Sequence, residues 1–383
     1  MKTIICRGSS SSVYGPSLLR IAPLTPQAYQ GTASVRRPRA QVTGFHRVLA
    51  ARCGFPFRAR MVLRSALLSA TALVTVAAPG WAESIDDGAV EIVDGNGLAS
   101  GGAGGTGTRP SPWDVGDDLF VGDSSTGALQ IIAGGAVSGN DGYIGGNSGS
   151  TGTVTVTGED SSWTNTSYLH VGNLGTGTLN IENGGVVSSN YGYIGLLTGS
   201  EGTVSVTGAG SSWTNAANLI VGEFGTGTLI IAEGGAVSSA DGIIGHYSSS
   251  TSTVTVTGED SNWENTARLT VGSQGTGMLT IAEGGAVSNL ESFIGSDANS
   301  IGTVSVTGAG SSLTNADKLT VGNQGTGTLT IADGGSVQVG GVAYVALGGT
   351  SSGTLNIGAA AGDAAVAAGT LEASTVVFGA GTG

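Results

Sequence analysis

A 50-residue unit recurs without insertion from about Trp113 to Val337, and this period restricts the fold more than any other feature of the 383-residue chain. Thr153-Val-Thr-Val-Thr157 returns as Thr203-Val-Ser-Val-Thr207, then at Thr253–Thr257 and Thr303–Thr307. Trp163 returns as Trp213 and Trp263, with Leu313 in the last copy. Val171-Gly172 returns at 221, 271 and 321, and Gly184-Gly185 at 234, 284 and 334. An older copy supplies Trp113, Val121-Gly122, Leu129, Ile131 and Gly134-Gly135. A strict period of this length marks a solenoid or array, in which each unit buries its apolar face against the next.

Each unit divides again. Val171-Gly172 with Gly177-Thr-Leu-Asn-Ile181 is echoed by Ile194-Gly195 with Gly202-Thr-Val-Ser-Val206. The intervals from Val171 to Ile194 and from Ile194 to Val221 are 23 and 27 residues. Coils of that size suit one rung of a parallel β-helix, with rungs about 4.8 Å apart. The expected fold is therefore all-β, a right-handed parallel β-helix with two unequal rungs per repeat and no α-helix in residues 90–383. In Thr-Val-Thr-Val-Thr the two Val point one way and the three Thr the other. The Val fill the interior, while the β-branched Thr keep the strand and remain hydrated. Glycine serves the corners, where φ is positive.

Composition excludes the competing explanations for 70 glycines. Collagen would need a Gly-X-Y period and more than the 8 prolines present. Disorder is incompatible with regular Val/Thr alternation. Charge divides sharply: residues 1–82 hold 11 of the 14 basic residues and no acid, and residues 83–383 hold 3 basic against all 27 acidic residues, a net of −24. A body that acidic repels nucleic acid and anionic lipid. Both cysteines, Cys6 and Cys53, lie in the basic leader, so the body forms no internal disulfide.

Residues 61–82, MVLRSALLSATALVTVAAPGWA, read as a Sec-type signal peptide. Arg64 supplies the positive start, Ser65 to Ala78 the apolar stretch, and Gly80-Trp81-Ala82 the small residues before cleavage. Residues 1–60 then form a basic extension without stable fold, best explained by translation starting at Met61, with a long targeting extension as the alternative. Residues 83–112 are a Gly-rich lead-in or cap, 113–350 the repeat, and 351–383 a further β-helical segment.

Chemistry is sparse. His170 and His246 occupy unrelated repeat positions and make a poor metal pair. Glu159-Asp160 and Glu259-Asp260 recur at a period of 100 and could suggest calcium. The nonapeptide of calcium β-rolls is absent, so these acids read as solvated loop charge. Trp163, Trp213 and Trp263 could stack on sugars, but Leu313 in the same slot favours an apolar pocket. Asn165, Asn215, Asn265 and Asn315 lie two rungs apart and would not form a continuous Asn ladder. No nucleophile elbow or phosphate loop occurs. A carbohydrate-active β-helix would need clustered carboxylates, testable as two within about 10 Å on one solvent-facing sheet. The expectation is therefore no catalytic, cofactor-binding or metal-ligating residue, no cofactor, and no enzyme activity.

The pattern Gly-Thr-Val-x-Val-Thr-Gly-x-x-Ser-x-Trp-x-Asn precedes Leu-x-Val-Gly-x-x-Gly-x-Gly-x-Leu-x-Ile-x-x-Gly-Gly-x-Val-Ser. Over residues 113–350 it resembles the strand-loop-strand repeat of autotransporter passengers, which belong to type V secretion. That resemblance implies export through the inner membrane and display at the outer membrane or outside a Gram-negative cell. It also implies a C-terminal β-barrel translocator. No barrel pattern follows Val345, so the sequence is expected to be a fragment of a longer frame. The functional expectation is an adhesive or structural passenger that contacts itself or a host or matrix surface. The alternatives are a carbohydrate-active enzyme or a passive stalk.

Overall fold

The structure, a computed structural model, describes residues 82–95, 106–359 and 364–382. The basic extension and nearly all of the signal segment lie outside the described residues. Every described residue belongs to one compact unit, Val74–Gly383.

That unit is a parallel β-solenoid of about ten turns, and among the described residues it contains only strands, turns and loops. Each turn has three faces. The broad face carries seven-residue strands such as Thr151–Thr157, Thr176–Glu182 and Glu201–Thr207. Two short faces follow, built from pieces such as Ser162–Asn165 and Tyr168–Val171. Toward the C-terminus the two short strands fuse, as in Ala286–Ile294 and Ser312–Val321. The broad strands form one sheet of twelve, and the short strands together form a second of nineteen.

Register explains the unequal intervals. On the broad face Thr151 pairs with Thr176 and Thr176 with Glu201, a constant step of half the repeat. On the second short face Val171 pairs with Ile194 and Ile194 with Val221, so a shorter step alternates with a longer one. The first short face alternates less strongly, from Trp163 to Val187 and from Val187 to Trp213. The rungs are thus equal around a full turn, and only the corner lengths alternate.

The interior is a set of stacked apolar rows. Val154 and Val156, Leu179 and Ile181, and Val204 and Val206 are fully buried beneath the broad face. Their outward neighbours are Thr, Ser and Asn, as the side-chain period of two requires. Gly172 shows why the corners exclude side chains: its φ is +73°, and a Cβ there would lie 2.3 Å from the Glu201 carbonyl oxygen. The lead-in already contributes strands. Glu83–Ile85 pairs with Leu119–Val121, and Ala89–Asp94 pairs with Thr126–Ile132. At the other end Thr370–Phe378 pairs with Ser336–Val345 and extends the second sheet.

Candidate functional site

The recurrent motif is absorbed by architecture. Ser161, two residues before Trp163, donates to the Thr157 carbonyl at 2.8 Å and accepts the Gly134 amide at 3.0 Å. Ser211, Ser261 and Ser311 hold the same amide one repeat on. These serines tie each corner to the rung below. Trp163, Trp213 and Trp263 are fully buried, so their rings are closed to any ligand. Each indole packs over a glycine of the neighbouring rung: a Cβ on Gly192 would lie 2.7 Å from Trp213, and one on Gly242 2.6 Å from Trp263. Where Leu313 replaces Trp, the facing position is Ser292, whose hydroxyl donates to Asn315. The slot in the last copy is therefore smaller, and the two substitutions compensate in volume.

The asparagines point inward. Taken alone they are two rungs apart, as the spacing demands, but the intervening rungs supply Ser189, Ser239 and Asn289 at the paired position. Ser239 donates to Asn265 Oδ1 at 2.7 Å and accepts the Trp263 indole N–H at 3.4 Å. Asn265 donates to Asn289 Oδ1 at 2.9 Å, and Asn289 to Asn315 Oδ1 at 3.4 Å. From Ser239 to Asn315 the result is a buried polar ladder of mixed Asn and Ser, whereas Asn215 accepts from Ser189 at 2.8 Å and donates to the Ser238 carbonyl at 3.4 Å. The weak rung is Gly139, which faces Asn165 without a hydroxyl. There the Trp163 indole N–H and both Asn165 amide atoms have no protein partner.

The acids at the corner between broad and first short faces come closer together than their sequence spacing suggests. Glu259 and Asp260 share a shallow depression with Glu283 of the next rung. No group of three or more His, Cys, Asp or Glu side chains suited to a metal converges among the described residues.

What sequence reasoning missed lies on the outer side of the second short face. Residues 83–383 contain ten Tyr and Phe, and nine of them lie here and on the adjoining corner, seven between Phe120 and Tyr247 and then Phe293 and Tyr344. Phe120, Tyr143, His170 and Tyr193 occupy one position on four successive rungs. Their rings stack at centroid spacings of 4.5, 4.7 and 5.3 Å. Tyr168 and Tyr191 form a second, more exposed row beside them, 5.3 Å apart. Phe224 and Tyr247 stack at 4.2 Å on the corner beyond. Next to them Glu223 meets the His246 imidazole at 3.1 Å.

This stack sets the protonation of its members. Burial holds the His170 imidazole down at about 4, against an opposing pull from Asp141. Burial, reinforced by Asp141 and Asp118, pushes the Tyr143 phenol up to about 12. Both rings are therefore neutral at pH 7. Asp118 and Asp141 sit on adjacent rungs, so the carboxylate proximity sought for a glycosidase does occur. Their hydrogen bonds give them another task. Asp118 accepts the Asp141 amide at 3.2 Å, and Asp141 accepts the Tyr168 amide at 3.0 Å and the Tyr143 hydroxyl at 3.3 Å. Asp241 repeats this by accepting the Arg268 amide at 3.0 Å. These carboxylates close the bend between the two short faces, and they lie on an open face rather than across a cleft.

No protein-family model and no curated protein matches this chain. Among solved structures it matches the crystal structure of the TibC-catalyzed hyper-glycosylated TibA55-350 fragment. The identity is 16%, the TM-score 0.31, and the match covers 77% of this chain and 94% of that one. A likeness this distant fixes neither family nor activity.

Proposed function

We propose that this chain is the exported, surface-displayed portion of an adhesive protein, and that the outer side of its second short face makes the contact. The observation that supports this is the segregation of side chains. Most of the outer surface presents Thr, Ser, Asn and Gly, whereas one face and its adjoining corner gather seven aromatic rings across rungs that run from Phe120 to Tyr247. Aromatic residues combine large contact area with few rotatable bonds, which is why they concentrate at contact surfaces. Rows on a solenoid are also suited to extended, flat partners, since each rung repeats the same geometry.

The carboxylates of this face accept backbone amides, which favours adhesion over hydrolysis. The autotransporter-like repeat and the signal-like segment 61–82 support export to the surface of a Gram-negative cell. The test is attachment and aggregation of cells that express the gene, with surface exposure verified by protease accessibility. Gain of either over vector-only cells supports the proposal. Display without gain in either removes the adhesive reading and leaves a passive stalk.

A further inference from the structure

The broad face keeps a lattice that the two short faces do not. From Thr126 to Thr326 equivalent positions pair at a constant step of half the repeat, with no shift of register. The second short face alternates a shorter step with a longer one and shifts register between Asn289 and Glu291. Outward side chains of the broad face therefore fall in straight files along the solenoid axis. The central file holds threonine on five successive rungs, from Thr153 to Thr253, and resumes at Thr303 after Met278. The file on one side holds threonine on every rung from Thr126 to Thr326 except at Glu201 and Ile301. The file on the other side holds Thr, Ser or Asn on every rung from Thr155 to Thr330 except at Ile230.

The face is also neutral. Across the outward positions of the broad strands from Thr126–Ile132 to Thr326–Ala332, only Glu182 and Glu201 carry charge, although residues 83–383 have a net charge of −24. Both stand at the ends of their strands, so the central file and the one that begins at Thr155 carry no charge on these rungs. Rungs repeat at about 4.8 Å, and files two residues apart repeat at about 6.6 Å. Three files on nine rungs make a plate about 38 Å long and about 13 Å wide.

We infer that the broad face binds ice. The prism face of hexagonal ice repeats its oxygens on a rectangle of nearly these sides, and it is uncharged, as this face is. Threonine suits such a surface because its methyl and hydroxyl branch from one Cβ and its χ1 is stiff. Both groups are thus held at the repeat before contact, which lowers the entropy lost on binding. The methyl groups restrict first-shell water, and the hydroxyls hydrogen-bond to it. A file of threonines accordingly sets water at the spacing of the rungs, and each further rung adds the same contact to a partner that is itself a lattice. The face differs from the one assigned to adhesion, so the two readings fail separately. A chain without effect on ice whose displayed cells still adhere would lose this inference and keep the adhesive one.

The experiment measures thermal hysteresis and inhibition of ice recrystallisation by the purified chain and three double variants, with unchanged circular dichroism establishing that each folds. The parent should hold the freezing point below the melting point and keep ice grains small. Thr203→Lys with Thr228→Lys puts two long charged side chains into the central file and should abolish both effects. Thr164→Lys with Thr214→Lys adds the same charge at exposed positions of the first short face and should preserve both. Met278→Thr with Ile301→Thr fills the gaps in two files. These residues are 46% and 47% exposed, so the exchange leaves the core untouched, and recrystallisation should stop at a lower concentration than with the parent. An inactive parent overturns the inference, and so do lysine pairs that act alike or a filled array no more active than the parent. A parent that leaves ice unchanged and instead sediments with microcrystalline cellulose also overturns it, and assigns the face to a neutral polysaccharide.

Discussion

Replacing Ser239 with alanine should expose how much the buried polar ladder contributes. Ser239 is 2% exposed, donates to Asn265 Oδ1 at 2.7 Å and accepts from the Trp263 indole at 3.4 Å. Alanine fits the site but leaves an indole N–H and an amide oxygen buried without partners. A buried polar group left unsatisfied costs about 1–3 kcal/mol. The indole bond is long, so the sum should fall near the lower half of the range for two groups, at about 2–4 kcal/mol. Ser238→Ala, on the outward side of the same strand, should stay within about 0.5 kcal/mol of the parent. Because solenoids can unfold in segments, the assay is native-state hydrogen exchange, read at the amides of residues 236–265. A double variant, Ser239→Ala with Asn265→Leu, should recover part of the loss, since removing both partners of a buried bond is cheaper than removing one. If Ser239→Ala protects its amides as well as Ser238→Ala does, the ladder is not stabilising and the reasoning fails.

Trp263→Leu should cost about 2–3 kcal/mol through the cavity it leaves, and adding Gly242→Ser should recover part of that, reproducing the Leu313–Ser292 pair. Gly242→Ser alone should be the worse variant, because its Cβ would lie 2.6 Å from the Trp263 ring; thermal unfolding of the three chains checks the order. His170 binds its proton less tightly when folded than when unfolded, with a folded pKa of about 4 against an ordinary value of 6.5. Its contribution is therefore fully present above pH 6.5 and is lost as pH falls toward 4, by about 3 kcal/mol in total. Denaturant titrations of the parent and of His170→Phe should show that extra acid sensitivity in the parent alone.

Much of this fold is legible in the sequence because one pattern is written several times. The pairing of Thr176 with Glu201 on the broad face follows from aligning Gly177 with Gly202, and the burial of Leu179 and Val204 follows from side-chain alternation. The corners are legible through Gly172 and Gly195, which no other residue replaces without a clash. The polar ladder is only half legible. Asn recurs once in every repeat, but the Ser239 that links Trp263 to Asn265 belongs to the other half-repeat. It shows only when rungs are stacked in the alternating register of the first short face.

The candidate contact face is harder to see for the same reason. Phe120, Tyr143, His170 and Tyr193 have four side chains of three kinds, separated by alternating short and long steps, and a search for a constant period passes over them. They align once the short-face register is known. The usable signal was compositional: aromatic residues other than Trp are rare in the body, yet most occur within rungs 120–247. The imidazole reading from sequence, that His170 and His246 are unrelated, agrees with their placement in separate stacks, one beside Tyr143 and the other beside Tyr247.

The account turns on one face of the solenoid carrying the contact. The direct measurement is adhesion and aggregation of cells displaying three versions of the chain at equal surface density. These are the parent, a second-short-face variant with Tyr168→Ser and Tyr191→Ser, and a broad-face variant with Thr178→Ser and Thr203→Ser. The account predicts that the broad-face variant behaves as the parent and that the second-short-face variant loses most of its adhesion while remaining folded and displayed. Equal adhesion by all three, or loss confined to the broad-face variant, would contradict it.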